Sequence, residues 1–273
     1  GTGCDTILAQ MAADGLGCDI DNIIVRGVDT DQSPYDSGSY ASSTTYVTGG
    51  AVVKACESMR RRICEEAAAI MGLNPGEVDF DGETISENDN PEHSMALSDL
   101  ITTLEAGKGR IIEVTESHTS PVSPPPFMAG AAEIEVDLET GKITPINYVA
   151  AVDCGTVINT NLARIQTEGG IVQGMGMTLY EDVQYTDEGK MKNRNFMSYK
   201  IPTRLDMGNI KVEFESSYEQ TGPYGAKSIG EIVINTPAPA IADAVYNATG
   251  LRFRTLPITA EQVMMGLLEK EEI

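Results

Sequence analysis

The stretch "SPVSPPPFMAG", residues 120 to 130, constrains the fold more than any other. Proline fixes φ near −65° and lacks a backbone N–H, so neither a helix nor a central strand crosses Pro121, Pro124, Pro125 and Pro126. The segment reads as an extended polyproline connector, and it predicts two subdomains, residues 1–120 and 121–273. Each is long enough to bury a core of its own, and 41% of the 273 residues are hydrophobic.

On the first side, "GTGCDTILAQMAADGLG" predicts a helix closed near Gly15 or Gly17, and the β-branched run "NIIVRGVDT" predicts a strand. A Ser/Thr-rich loop then leads into a long helix ending at Gly72. Residues 80–96 are turn-rich and acidic, as a loop or short hairpin would be, with a helix over 96–107 and a strand over 110–116 to follow. On the second side, alternation around Glu139-Thr140-Gly141-Lys142 predicts a β-hairpin. A helix over 161–183, a strand "IKVEFES" and a helix "TPAPAIADAVYNATG" complete it, the last with Thr236 as N-cap, Pro237 in its first turn and Gly250 as its stop. Helices and strands alternate without a strict βαβ rhythm, which makes the expected fold class α+β with mixed sheets.

The charge balance excludes several functions. With 19 basic and 41 acidic residues the net charge is −22, which repels phosphate backbones and anionic lipid, so neither nucleic acid nor a membrane is an expected partner. No apolar run approaches the roughly 20 residues needed to cross a bilayer, and no basic-then-apolar leader opens the chain, so the expected compartment is the cytoplasm. Five scattered cysteines without a C-x-x-C pair suit free thiols. His93 and His118 lack H-E-x-x-H spacing, and no nucleophile elbow or P-loop is present.

Three stretches carry possible chemistry. "GTGCDT" offers backbone N–H groups at a helix start, which attract phosphate, and Asp29 or Asp31 stands where a dinucleotide fold would place its ribose acid. A dinucleotide-binding module is therefore one alternative function, and an acidic interaction scaffold is another. "QTEGGIVQGMG", residues 166–176, sets four glycines in a helix at a cost of about 1 kcal/mol each. Either another backbone packs closely there or a cofactor does, with Gln166 and Gln173 as hydrogen-bonding groups. In "YGAKSIGEIVIN" the apolar residues Ile229, Ile232, Val233 and Ile234 are expected to carry Glu231 inward, as a general base or as the ion-pair partner of Lys227.

Taken in order, "GTGCDTILAQMAADGLG", "DTDQSPYDSGSYASSTTYVTGGAVVKAC", "AGAAEIEVDLETGKITPINYVAAVDCGTVINTNL", "QTEGGIVQGMG", "GAKSIGE" and "PAPAIADAVYNATGLRFRTLPIT" span essentially the whole chain. This series resembles the C-terminal half of the molybdenum-binding subunit of the xanthine dehydrogenase and aldehyde oxidoreductase family, the molybdenum hydroxylases. The split-subunit enzymes of anaerobic bacteria, xanthine dehydrogenase and nicotinate dehydrogenase, look nearest.

The resemblance implies hydroxylation of an N-heteroaromatic substrate, xanthine or another purine or nicotinate, with water as the oxygen source. Glu231 matches the catalytic base. Ala41 and Ser42 match small residues whose backbone lies against the metal's ligands, Gln166 matches a pterin-contacting glutamine, and Gly1, Thr2 and Gly3 match a contact to the cofactor phosphate. Thr2 stands where the family usually has glutamine, and Ile232 and Val233 stand where two prolines often follow the glutamate. The implied cofactor is a molybdenum-molybdopterin dinucleotide in its cytosine form, the metal held by the pterin and by no side chain. The implied partners are the other half of the large molybdenum subunit, an iron–sulfur subunit with [2Fe-2S] centres and an FAD subunit.

Overall fold

A computed structural model describes residues 1–27, 29–120 and 122–271, and the chain divides into two compact units. The first comprises Gly1–Pro124 with Gln220–Ala226, and the second Pro125–Glu219 with Lys227–Ile273. Division thus falls at 124/125, four residues beyond the expected point, and Gln220–Ala226 groups with the first unit. Pro121 lies outside the described residues.

The first unit is built on α1 (Cys4–Leu16) and α2 (Gly49–Met71). Both end on glycines in left-handed backbone, Gly17 and Gly72, as the sequence predicts. On α2 the buried residues Cys56, Ile63, Glu66 and Ala67 recur at helical spacing. Residues 78–96 form more than a hairpin: β1 (Val78–Phe80), β2 (Thr84–Glu87) and β3 (Asn90–Ala96) make an antiparallel sheet in that order. Asp81 turns the chain between the first two strands, its carboxylate accepting from the N–H groups of Glu83 and Thr84 at 2.9 and 2.7 Å. Phe80 and Ile85 then face inward with Leu100 and Leu104 of α3 (Leu97–Lys108), each contributing roughly 1.5–3 kcal/mol by leaving water.

Two expected strands do not form. Residues 23–27 pair with no strand among the described residues, and Val28 lies outside them. Ile24 is 81% exposed, and Asp29 instead closes a turn, accepting from the backbone of Asp31 at 3.0 Å and the side chain of Gln32 at 2.6 Å. β-branched composition without a neighbouring edge gives extended chain and no sheet. Residues 110–116 are likewise laid along α2 by side chains: Arg110 pairs with Glu66 at 2.6 Å, and Glu116 accepts from Ser58 at 2.6 Å.

The second unit holds the predicted hairpin, β4 (Phe127–Val136) against β5 (Ile143–Asp153), with β6 (Asn209–Phe214) parallel to β5 on its other side. A parallel neighbour requires a crossover, and α4 (Thr160–Leu179) lies within it. The helices α5 (Ile232–Asn235), α6 (Pro237–Thr249) and α7 (Ala260–Glu271) complete the unit. Its core comprises Tyr148 and Val152 of β5, Ile171 and Met175 of α4, and Ile241 and Val245 of α6, all at most 1% exposed. Thr236 does not cap α6 as expected, because its hydroxyl accepts from the buried Tyr148 phenol at 2.8 Å. The class is α+β, as predicted.

Candidate active site

In the first unit, Gly3 opens α1 in left-handed backbone (φ 77°), and the Thr2 hydroxyl accepts from the Cys4 N–H at 3.4 Å. The other N–H groups of the first turn lie at the positive end of the helix dipole, although Asp5 brings one negative charge beside them. Gly1 and Thr2 precede it, both exposed, and a Cβ added at Gly1 would meet no other atom within 4 Å.

Ala41 and Ser42 lie in consecutive left-handed conformations, φ 52° and 55°. For non-glycine residues this costs roughly 1–2 kcal/mol each, and such strain is held only where surrounding structure imposes it. Here the imposing element is the π-helical turn Thr44–Thr48 that follows, which packs against α1. Gly49, next in sequence, sits on Met11 of that helix, where a Cβ would stand 2.8 Å from the sulfur. The sequence-derived positions of the first unit thus share one support. Ala41→Val is expected to destabilise the protein by roughly 1–2 kcal/mol, since a β-branched residue tolerates left-handed backbone worst, whereas Ala41→Gly should not. Urea unfolding of both variants checks this.

Tyr224 is the third non-glycine residue with positive φ, at 53°. Its hydroxyl donates to the Met11 carbonyl at 3.0 Å, and burial, reinforced by Asp14, pushes its phenol up to about 12. Sequence reading missed it, because tyrosine carries no signal for left-handed backbone.

In the second unit, the glycines of α4 divide by role. A Cβ at Gly170 would fall 2.2 Å from Val233, and one at Gly174 would fall 2.8 Å from Pro237. Close helix packing therefore accounts for these two. Because the contacts advance along both segments together, α4 and the α5–α6 segment run the same way. The residues just before the contact, Gln166 on one side and Glu231 on the other, consequently lie at the same end. Gly169 differs from its neighbours: a Cβ there would meet nothing within 4 Å.

Glu231 does not point inward as expected; its side chain is exposed. The physical reason is helical phase. Glu231 immediately precedes α5, so the inward position falls two residues on, to Val233, which is 1% exposed. Lys227 pairs with Asp153 at 2.7 Å, which replaces the expected alternative of a Lys227–Glu231 pair. Burial raises the Asp153 carboxyl, but hydrogen bonds from Lys227, Ser217 and the Gly155 N–H outweigh it and hold the group down at about 2. The adjacent Cys154 thiol is pushed up to about 11 by burial and by the Asp153 charge, so it stays protonated. Asp153 and Ser217 were not legible as a pair, since 64 residues separate them.

The first unit thus presents a helix start and one strained turn of small residues, and the second presents an open glycine on α4; each offers main chain without bulk to a ligand. Among the described residues no group of three or more His, Cys, Asp or Glu side chains is placed to hold a metal ion. No described helix is long and apolar enough to cross a membrane.

Comparison with known proteins identifies the family. Residues 1–208 match the model of the molybdopterin cofactor-binding domain. The chain is 33% identical over 272 residues to the protein named "Probable hypoxanthine oxidase XdhD" of Escherichia coli K12, covering 98% of this chain and 28% of that protein. It is 30% identical over 268 residues to the putative xanthine dehydrogenase molybdenum-binding subunit XdhA of the same organism, covering 96% of this chain and 36% of that one. The crystal structure of quinoline 2-oxidoreductase from Pseudomonas putida 86 superposes with a TM-score of 0.81 at 27% identity, over 98% of this chain and 35% of that chain. The chain therefore spans about a third of the length of the relatives it matches. With a family model covering residues 1–208 of 273, the chain belongs to the molybdopterin cofactor-binding domain family.

Proposed function

We propose that this chain is part of a molybdenum hydroxylase that converts a C–H bond of an N-heteroaromatic, a purine or nicotinate, into C–OH with water as the oxygen source. The observation that carries the proposal is the parallel packing of α4 with α5–α6, which sets a carboxylate, a carboxamide and the open backbone of Gly169 at one end of a single unit. The names of the relatives, a hypoxanthine oxidase, a xanthine dehydrogenase subunit and a quinoline oxidoreductase, support the substrate class.

When bound, the molybdopterin cofactor, here proposed as the cytosine dinucleotide, supplies oxygen transfer and takes up the two electrons. The chain's own residues bind and handle protons. Gly1, Thr2 and Gly3 receive the phosphate at the start of α1, and Ala41 and Ser42 offer main-chain contact without bulk. Gln166 can both donate and accept, as a pterin edge requires. Glu231 accepts at a carboxylate oxygen the proton released as the C–O bond forms. Electrons leave through [2Fe-2S] and FAD centres on partner subunits, and the remainder of the large subunit completes the enclosure.

The test uses the complete enzyme purified from its source. Molybdenum and pterin should be present in equal amounts, and turnover of hypoxanthine, xanthine or nicotinate in ¹⁸O-labelled water should place one labelled oxygen in the product. Enzyme that carries no molybdenum, or a product labelled from dioxygen, would refute the proposal.

A further inference from the structure

One ion pair in the second unit has no part in the proton chemistry above. The Lys227 ammonium is 8% exposed and meets Asp153 Oδ2 at 2.7 Å, the Pro125 carbonyl at 3.2 Å and the Phe127 ring at 5.3 Å. The main-chain N–H of Lys227 also donates to the Cys154 carbonyl at 2.7 Å. Phe127 and Asp153 face each other across β4 and β5, so every contact gathers at one end of that hairpin. Asp153 is itself oriented by Ser217 Oγ at 2.5 Å and the Gly155 N–H at 3.1 Å.

A buried ion pair is a poor way to stabilise a fold, since apolar residues of similar volume often do as well or better. What it adds over apolar contact is direction. Lys227 is fixed by side chain and main chain at once, four residues before Glu231, and Val233, two residues after, is fixed against Gly170. Glu231 thus stands on a short span between two anchors, and only the first of them is polar.

We propose that Lys227, held by Asp153, is a positioning residue that sets the course of Ser228–Gly230 and thereby the direction of the Glu231 carboxylate. The inference rests on Glu231 being the proton acceptor, and its test separates the two ideas. In the complete enzyme, Lys227→Met combined with Asp153→Leu removes both charges and strands neither. Molybdenum content should be retained and amide hydrogen exchange at residues 228–231 should quicken about tenfold or more. With it, kcat should fall about tenfold or more at unchanged KM, as small misplacements of a reacting group do. Unchanged exchange, or faster exchange with unchanged kcat, overturns the proposal. Should the double variant lose its fold, Ser217→Ala takes one hydrogen bond from Asp153 and leaves both charges; a smaller change in the same two readouts is expected, and none overturns the proposal. If Glu231→Gln itself keeps its turnover, the acceptor role fails, and exchange at 228–231 still decides whether the pair fixes the turn.

Discussion

Replacing Glu231 by glutamine is expected to lower turnover by about 10²- to 10⁴-fold while the enzyme keeps its fold and its molybdenum. The structure makes this substitution unusually clean. Glu231 is exposed, so no desolvated charge is removed, and its side chain does not cap the α5 helix that it precedes, so no cap is lost. Glutamine has nearly the same volume, and the packing at this end of α5 is carried by Val233 against Gly170. What glutamine withdraws is the negative charge and with it the capacity to accept a proton. Steady-state kinetics with metal analysis on the same sample checks the prediction. Near-normal kcat at full molybdenum content would remove Glu231 from the reaction.

The sequence announced what depends on nearest neighbours. The α1 and α2 stops at Gly17 and Gly72, the hairpin at residues 137–142 and the close approach of the α4 glycines all follow from local chemistry, and all are present. What failed depended on partners far along the chain. The run at 23–27 has strand composition but no neighbouring edge, and Thr236 was drawn from its capping role by Tyr148, 88 residues away. The direction of Glu231 failed for a subtler reason: apolar flanks indicate that a segment is buried, but on a four-residue helix one position decides which side chain faces the core. The left-handed pair Ala41 and Ser42 has no sequence signal, since neither residue type favours that backbone. The family resemblance, and no local propensity, singled those residues out.

Asp153→Asn is expected to cost about 3–5 kcal/mol of folding stability, far more than a surface ion pair is worth. The reason is the state of the survivor. Lys227 is 8% exposed, and with a neutral amide opposite, its ammonium would remain buried beside only the Pro125 carbonyl and the Phe127 ring. Asparagine can also orient just one of its two terminal atoms to accept, whereas the carboxylate accepts from Lys227 on one oxygen and from Ser217 and Gly155 on the other. The pH dependence follows from the sign of the shift. The Asp153 carboxyl is held at about 2 in the folded protein against an ordinary 3.8, so its contribution is complete above pH 4. As pH falls below that point the unfolded chain binds the proton first, and the contribution disappears as pH passes through about 2. The stability difference between wild type and variant, measured by urea unfolding at a series of pH values, should therefore be constant from pH 7 to about 4 and shrink between about 4 and 2. A difference below about 1 kcal/mol at pH 7 would place the pair among ordinary surface contacts, and one that persists unchanged to pH 2 would show that the carboxylate's charge is not what Lys227 requires.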